Sequence, residues 1–446
     1  MVKKIFSIII SFFLISFIFA APVSAYKPST FTLTAEGCLI ANVDTDAVIY
    51  EKNADERMYP ASLTKIMTAV VVLDECPDPQ NTVVTCHKDV LDLLLGTDSS
   101  VFNLVDGEQL PALELLYILL VHSANDAANV LAEHFGGTIP GFVDKMNAKA
   151  AELGMTNSHF MNAHGLHDTS HYTTPRDMYT LTKHALKNET FKKIFGTVRH
   201  TVPATNMNPK NRILATTVFI QDPNTTLSNT YYRPVDGGKT GYTDDAGRCL
   251  VTFAEEDGIT YICVVMKCPV TNAEGVKVRY EFAETKQLYE WVFTEFEYRE
   301  VHGTATPVGE SPVELSLDTD SVSVALKTPV NAVVPKAAET SSFKVEVELF
   351  KPTAEAPIAI GQELGTATVK YAGEPIATVP VVAIAAVEKS GMLAFVKGIT
   401  NFFGSSVFGM IVLIIVFIIV GFIAYVIIIN HNRKKRRRNR RRIKIK

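Results

Sequence analysis

The chain has 446 residues, 47% of them hydrophobic, and a formal net charge of −4, a length that carries two or three domains and a sizeable core. The small net charge hides an asymmetry. Residues 433–446 hold 11 lysines and arginines and no acid; with these, Lys3 and Lys4 set aside, 30 basic residues face 47 acidic ones, about −17, which excludes nucleic acid as a partner for the body of the chain.

In chain order, Lys3 and Lys4 are followed by an almost purely apolar run over 5–19, and Val23-Ser24-Ala25 places small residues at a cleavage spacing. The pattern predicts a secretory signal peptide over 1–25. Residues 38–41 and 47–50 flank the turn-prone Asp44-Thr45-Asp46 and predict a hairpin within 31–51. Then comes Tyr59-Pro60-Ala61-Ser62-Leu63-Thr64-Lys65 and an unbroken run without Gly or Pro. Pro at a helix entry and Ser at its start predict a helix beginning near Ser62. Lys65 then lies one turn on, over the same face. A hydroxyl and an amine so placed suit a nucleophile and its base, although alone they are equally a helix cap and a solvated lysine.

Apolar helical runs follow at 110–122, 126–135 and 142–153. Residues 157–174, rich in His and Asn, are expected to form a polar loop with its histidines exposed, and 175–186 a further helix. Residues 248–255 and 259–266 are strand-like and joined by Asp257-Gly258, a tight-hairpin signal. A helical spacing over 276–293 closes a catalytic domain of residues 26–296. Helices and hairpins without β-α-β repeats predict an α+β fold, an antiparallel sheet with helices packed on it. From 301 to 387, period-two stretches such as 313–317 and 343–349 with recurrent turns predict a small β-sandwich. Residues 388–407 carry an amphipathic stripe, equally a membrane-lying helix or a plain linker. Residues 408–429 hold no charge and are long enough to span a bilayer as one transmembrane helix. The basic tail, 430–446, is then expected on the cytoplasmic side and the acidic body outside the cell membrane.

Six cysteines lie in the part expected to be exported; disulfides are permitted there but a core of this size does not require them. His159, His164, His167 and His171 fall within 13 residues. They raise a zinc site as an alternative, weakened by the loop context and the scarcity of carboxylates nearby. The acid pairs Asp44/Asp46 and Asp244-Asp245 stand in turn contexts and are taken as turn formers.

Two further motifs lie downstream of Ser62-Leu63-Thr64-Lys65: Ser123-Ala124-Asn125, between two helical runs, and Lys239-Thr240-Gly241, entered through Gly237-Gly238. Separations of 61 and 116 residues, in that order, make the set far more specific than any member. With the longer stretches 62–73, 122–137, 153–160 and 238–247, the chain resembles the low-molecular-mass penicillin-binding proteins, the serine D-alanyl-D-alanine carboxypeptidases. The resemblance covers roughly residues 28–390. It implies a penicillin-binding domain, similar to that of the serine β-lactamases, followed by a β-rich domain.

Chemically, Ser62 needs a base; Lys65 can serve only when neutral, which burial and a second cation such as Lys239 would favour. Ser123 offers a proton relay and Asn125 an amide to hold Lys65 and substrate. Lys239 and Thr240 can bind a terminal carboxylate, and Gly241 lets a substrate add as a strand. By resemblance, the N–H of Tyr242 joins that of Ser62 in an oxyanion hole. The resemblance also implies the substrate, peptidoglycan stem peptides ending in D-Ala-D-Ala, acylation of Ser62, and β-lactams as covalent inhibitors, with no cofactor and no metal. A class A β-lactamase shares the motifs but would need a deacylating Glu between the second and third, and none stands in that context. A non-catalytic wall-binding protein would show a damaged motif; all three are intact.

Overall fold

A computed structural model describes residues 32–227 and 229–443; the predicted signal peptide lies outside them. The chain forms two compact units, the first built mainly from residues up to 301 and the second mainly from those beyond.

The first unit is organised on a five-stranded antiparallel sheet: β1 (Gly37–Asn42), β2 (Val48–Lys52), β3 (Val235–Thr243), β4 (Gly247–Glu256) and β5 (Ile259–Cys268), in the spatial order β2-β1-β5-β4-β3. Strand β3 is thus an edge. Both faces of the sheet are covered, and for that reason its strands read as near-continuous apolar runs. On β4, Cys249, Val251 and Phe253 enter one core while Leu250 and Ala254 enter the other; on β5, Ile262, Val264 and Met266 oppose Tyr261, Cys263 and Val265 in the same way. The first core is closed by helices α1 (Thr64–Glu75), α2 (Ala112–Val121) and α3 (Asn125–Gly136), with α4 (Ile139–Glu152), α5 (Pro175–Ala185) and α6 (Glu189–Phe195) around them. The second is closed by α7 (Tyr280–Glu295) through Phe282, Leu288, Tyr289 and Val292.

Helix α1 is buried nearly all round, with Ile66, Met67, Ala69, Val70, Val71 and Val72 in the core; at about 1.5–3 kcal/mol per large side chain, burial rather than propensity holds it. The Asp257-Gly258 hairpin is present, both residues at positive φ, 52° and 76°. Helix α7 starts four residues later than the spacing predicts, because 270–278 closes on itself: Val276 N–H donates to Asn272 Oδ1, Asn272 N–H to the Val276 carbonyl, and Val278 N–H to the Val270 carbonyl. The six cysteines are buried free thiols that serve as core.

The C-terminal region is a β domain. Its six-stranded sheet runs Phe343–Leu349, Glu363–Tyr371, Glu374–Ala383, Ser321–Leu326, Pro307–Glu314, Ala354–Glu355 in spatial order. The strand predicted over 313–317 ends at Glu314, where Leu315 turns at φ 65°. Helix α8 (Gly391–Phe403) follows, capped by Ser390 Oγ accepting from Leu393 N–H at 3.3 Å. Its Lys397 pairs with Glu314 at 2.9 Å and Glu355 at 2.7 Å, while Met392, Phe395 and Phe403 stay exposed. Helix α9 (Ser406–Ile443) contains a 29-residue stretch, Ser406–Lys434, long and apolar enough to cross a membrane.

Candidate active site

Ser62 is not a helix cap. It sits in a one-turn 3-10 segment, Ala61–Leu63, and the α-helix proper begins at Thr64. Pro60 leads the chain into Ala61, which is held at φ 48°, a left-handed conformation costly for a residue with a Cβ. Ser123 is held in the same region, at φ 64°. Both outliers belong to the motif residues or their neighbours, where strain is tolerated because the surroundings over-determine it.

Those surroundings are specific. At Gly165, which has φ +92°, an added Cβ would fall 1.8 Å from the Ala61 carbonyl oxygen, and at Gly241 one would fall 2.8 Å from that of Pro60. The serine turn is therefore clamped between the loop after α4 and the edge strand β3. Thr64 Oγ1 donates to the Ala61 carbonyl at 2.8 Å, and His171 Nε2 donates to Thr64 Oγ1 at 2.8 Å while its Nδ1 accepts from Met161 N–H at 3.3 Å. A neutral imidazole is the only form that satisfies both contacts.

This corrects the expectation of exposed loop histidines for two of the four, while His167 is exposed as expected. His164 and His171 are buried, and burial pushes their pKa values down to about 3 and about 4. His159 Nδ1 bonds the Ser170 carbonyl, His164 Nδ1 accepts from Leu166 N–H, and His167 faces Asp245 at 3.6 Å, so the four rings serve separate partners.

The three motifs converge. Lys65 Nζ lies 2.8 Å from Ser62 Oγ, 2.6 Å from Asn125 Oδ1 and 2.8 Å from the His164 carbonyl oxygen. Lys239 Nζ donates to Ser123 Oγ at 2.7 Å and to the Thr240 carbonyl at 2.8 Å. Both lysines are fully buried, and neither has a carboxylate partner among the described residues. Burial first, then the Lys239 charge, holds the Lys65 amine well below the ordinary lysine range, with Asp126 opposing; burial lowers Lys239 to about 7.

A cleft of about 550 Å³ opens over Ser62, Ser123 and Asn125 and runs along Thr240, Gly241 and Tyr242 of β3. All eight residues singled out by the sequence thus come together here. Several others were missed. Thr217 shares a 2.7 Å hydroxyl contact with Thr240, and Arg248, Arg279 and Glu281 also line the cleft, Arg248 over the Tyr242 ring. Asp244 and Asp245 do form the turn after β3, yet they also line the cleft, and Asp244 accepts from Tyr242 Oη at 2.6 Å. Asp46 is structural, accepting from Tyr179 and Lys183. Among the described residues, no carboxylate between the second and third motifs lines the cleft, so the deacylating Glu of a class A β-lactamase has no counterpart.

A serine and a lysine in contact on a buried helix start, a second serine and lysine facing them, and an open edge strand define a serine acyl-transfer enzyme of the penicillin-binding type. The sequence pattern of the D-alanyl-D-alanine carboxypeptidases matches residues 23–269, and that of the penicillin-binding protein 5 C-terminal domain matches residues 296–389. The chain is 31% identical to D-alanyl-D-alanine carboxypeptidase DacF of Bacillus subtilis, over 81% of this chain and 88% of the relative, and 30% identical to DacC of Escherichia coli, over 84% and 88%. Among solved structures it resembles penicillin-binding protein 5 of Haemophilus influenzae, with a TM-score of 0.61 and 28% identity over 82% of this chain and all of that one. The chain belongs to the D-alanyl-D-alanine carboxypeptidase family, the low-molecular-mass penicillin-binding proteins.

Proposed function

We propose that this serine-type D-alanyl-D-alanine carboxypeptidase removes the terminal D-alanine of peptidoglycan stem peptides through an acyl-enzyme on Ser62, with Lys65 as the base. The observation that carries the assignment is the 2.8 Å approach of a buried lysine without a counter-ion to the Ser62 hydroxyl. A neutral Lys65 donates its two N–H bonds to Asn125 Oδ1 and the His164 carbonyl, which leaves its lone pair for the Ser62 proton.

Ser62 Oγ then attacks the carbonyl of the penultimate D-alanine as its proton passes to Lys65. The oxyanion is held by the backbone N–H groups of Ser62 and Tyr242. Ser123, whose Oγ accepts from Lys239, passes its hydroxyl proton to the leaving amine as the C–N bond breaks and is reprotonated by the proton Lys65 took from Ser62, which returns Lys65 to its neutral form for deacylation. Water hydrolyses the ester in a second round. Lys239, Thr240 and Thr217 receive the terminal carboxylate, Gly241 allows the close approach of a substrate laid as an extra strand on β3, and Asn125 orients both Lys65 and substrate. A β-lactam acylates Ser62 by the same route.

In the same proposal, residues 26–296 are the catalytic domain, 301–387 the β domain and 388–407 the juxtamembrane segment. A single transmembrane helix over 408–429 anchors the enzyme with its catalytic side outside and residues 430–446 in the cytoplasm. The apolar length of α9 supports the anchor, and the basic tail supports the orientation. The test is to incubate the full-length protein in detergent with a stem pentapeptide and, separately, with penicillin. D-Alanine release and a single covalent adduct on Ser62 are expected, both lost in Ser62→Ala; full activity or an adduct in that variant would sink the assignment.

A further inference from the structure

Asp126 stands in the first turn of α3, next to the motif residue Asn125, and is buried. Its carboxylate takes three backbone N–H groups: that of Phe102 at 3.0 Å to both oxygens, that of Leu104 at 3.1 Å and that of Ala127 at 2.9 Å. Asn125 adds a further stitch, its N–H donating to the Ser100 carbonyl at 2.8 Å. Residues 100–104 are thereby fastened to the start of α3. The stretch that leads into them, Asp98, Ser99 and Ser100, lines the catalytic cleft. From another side the Arg212 guanidinium lies 4.4 Å over the Phe102 ring and pairs with buried Glu108 at 2.5 Å.

Asp126 itself borders a different space, a cavity of about 350 Å³ that it shares with Leu91, Leu94, Val101 and Leu104, and it does not line the catalytic cleft. It therefore acts on the reaction through its neighbours, without touching substrate.

Those neighbours include the base. Asn125 Oδ1 lies 2.6 Å from Lys65 Nζ, and acylation turns that buried amine into a buried ammonium. Such an ammonium is costly unless an opposite charge offsets it. The charged groups that act on Lys65 are Lys239 from β3, which disfavours the ammonium, and Asp126 from α3, which favours it. His164, from the loop after α4, is neutral, burial having pushed its pKa down to about 3. The Asp126 carboxylate is held by N–H groups and not by a cation, so its charge is left to act on Lys65.

We propose that Asp126 is a positioning residue of the acylation step: it fastens the 98–104 wall of the cleft to Asn125 and supplies the negative charge against which Lys65 takes up the Ser62 proton. The inference rests on the carboxypeptidase reaction above. Penicillin acylation of the full-length protein is followed by stopped flow, with enzyme held near neutral pH and mixed into buffers from about pH 5 to pH 8. Asp126→Asn and Asp126→Ser remove the charge and leave an oxygen for the N–H groups; each is first shown to be folded by circular dichroism. Both are expected to move the rising limb of the pH–rate profile to lower pH by about one unit, as one charge acting inside a protein allows, and to lower the plateau rate roughly tenfold or more. Asp126→Glu restores the charge, and the adjoining cavity has room for one more methylene. It is expected to keep the limb near its wild-type position while slowing acylation severalfold, because the longer carboxylate no longer meets the same N–H groups. A rising limb that stays in place in the charge-free variants would overturn the proposal, whatever the rate does. Should neither of them fold, Asp126→Glu decides, and wild-type acylation in it would overturn the positioning role. A wild type that forms no adduct would instead fail the carboxypeptidase assignment.

Discussion

The two units treat polar side chains in opposite ways. The first buries Lys65, Lys239, Asn125, Asp126, His164, His171, Glu281 and Glu284, whereas among the described residues beyond 301 only Ser311 is a buried polar side chain. Charges in the C-terminal region lie at the surface, as in Lys327–Glu363 and Lys397 with Glu314 and Glu355. Burying a polar group costs stability unless it is bonded, and burying a lone ammonium costs more still. The catalytic unit accepts those costs where they lower a lysine pKa or fix a strained turn. The β domain shows the ordinary arrangement, with an apolar core and its charges in water.

That contrast can be broken at its strongest point. Lys65→Met should lower the rate of penicillin acylation about 10³-fold or more, the scale of a lost general base. In wild type the rate should rise with pH as Lys65 loses its proton and fall again near pH 7 and above, as Lys239, lowered to about 7, loses the charge that holds the carboxylate. A stopped-flow pH profile checks this; a variant that keeps the rising limb would remove Lys65 from its role.

Next in size is Gly165→Ala. With φ +92° and a Cβ 1.8 Å from the Ala61 carbonyl oxygen, the substitution forces the serine turn to move. A loss of about 3–5 kcal/mol in a urea titration is expected, with weak penicillin labelling of what remains folded. Near-wild-type stability would mean that the clamp is looser than the contact implies.

The buried histidines give a smaller, pH-dependent effect. His164 and His171 titrate at about 3 and about 4 when folded, against about 6.5 unfolded. The unfolded chain therefore takes up protons first as pH falls below 6.5, and stability declines from there through the folded values, by up to about 1.4 kcal/mol per pH unit for each histidine. Urea midpoints at pH 7.5, 6.5 and 5.5 should show little change over the first step and a clear drop over the second. His171→Gln should shallow that drop.

Smallest is Lys397→Ala in the second unit. Its two ion pairs are exposed, so Tm should move by less than about 2 °C. A larger shift would show that the surface charges of the β domain matter more than solvent screening allows.

Much of this was legible in the chain because motif chemistry and apolar periodicity are local properties. The hairpin at Asp257-Gly258, the helical runs, the apolar C-terminal span and all eight motif residues could be read without coordinates. Boundaries failed where side-chain turns intervened. Asn272 holds back the start of α7, and Leu315, at positive φ, ends a strand whose alternation continues to Leu317. No local rule signals either.

By itself the sequence determined which groups could react: a serine and lysine at helical spacing, a second serine with an amide, and a lysine on a glycine-flanked strand. It could not determine the state of those groups. Lys65 is a buried amine held below the ordinary lysine range rather than a solvated cation because the fold packs it against Asn125 and the His164 carbonyl, 60 and 99 residues away. His171 braces the serine turn only because the loop after α4 returns across the entry to α1. Burial and long-range contact set pKa and orientation, and both are properties of the packed chain, not of any segment within it.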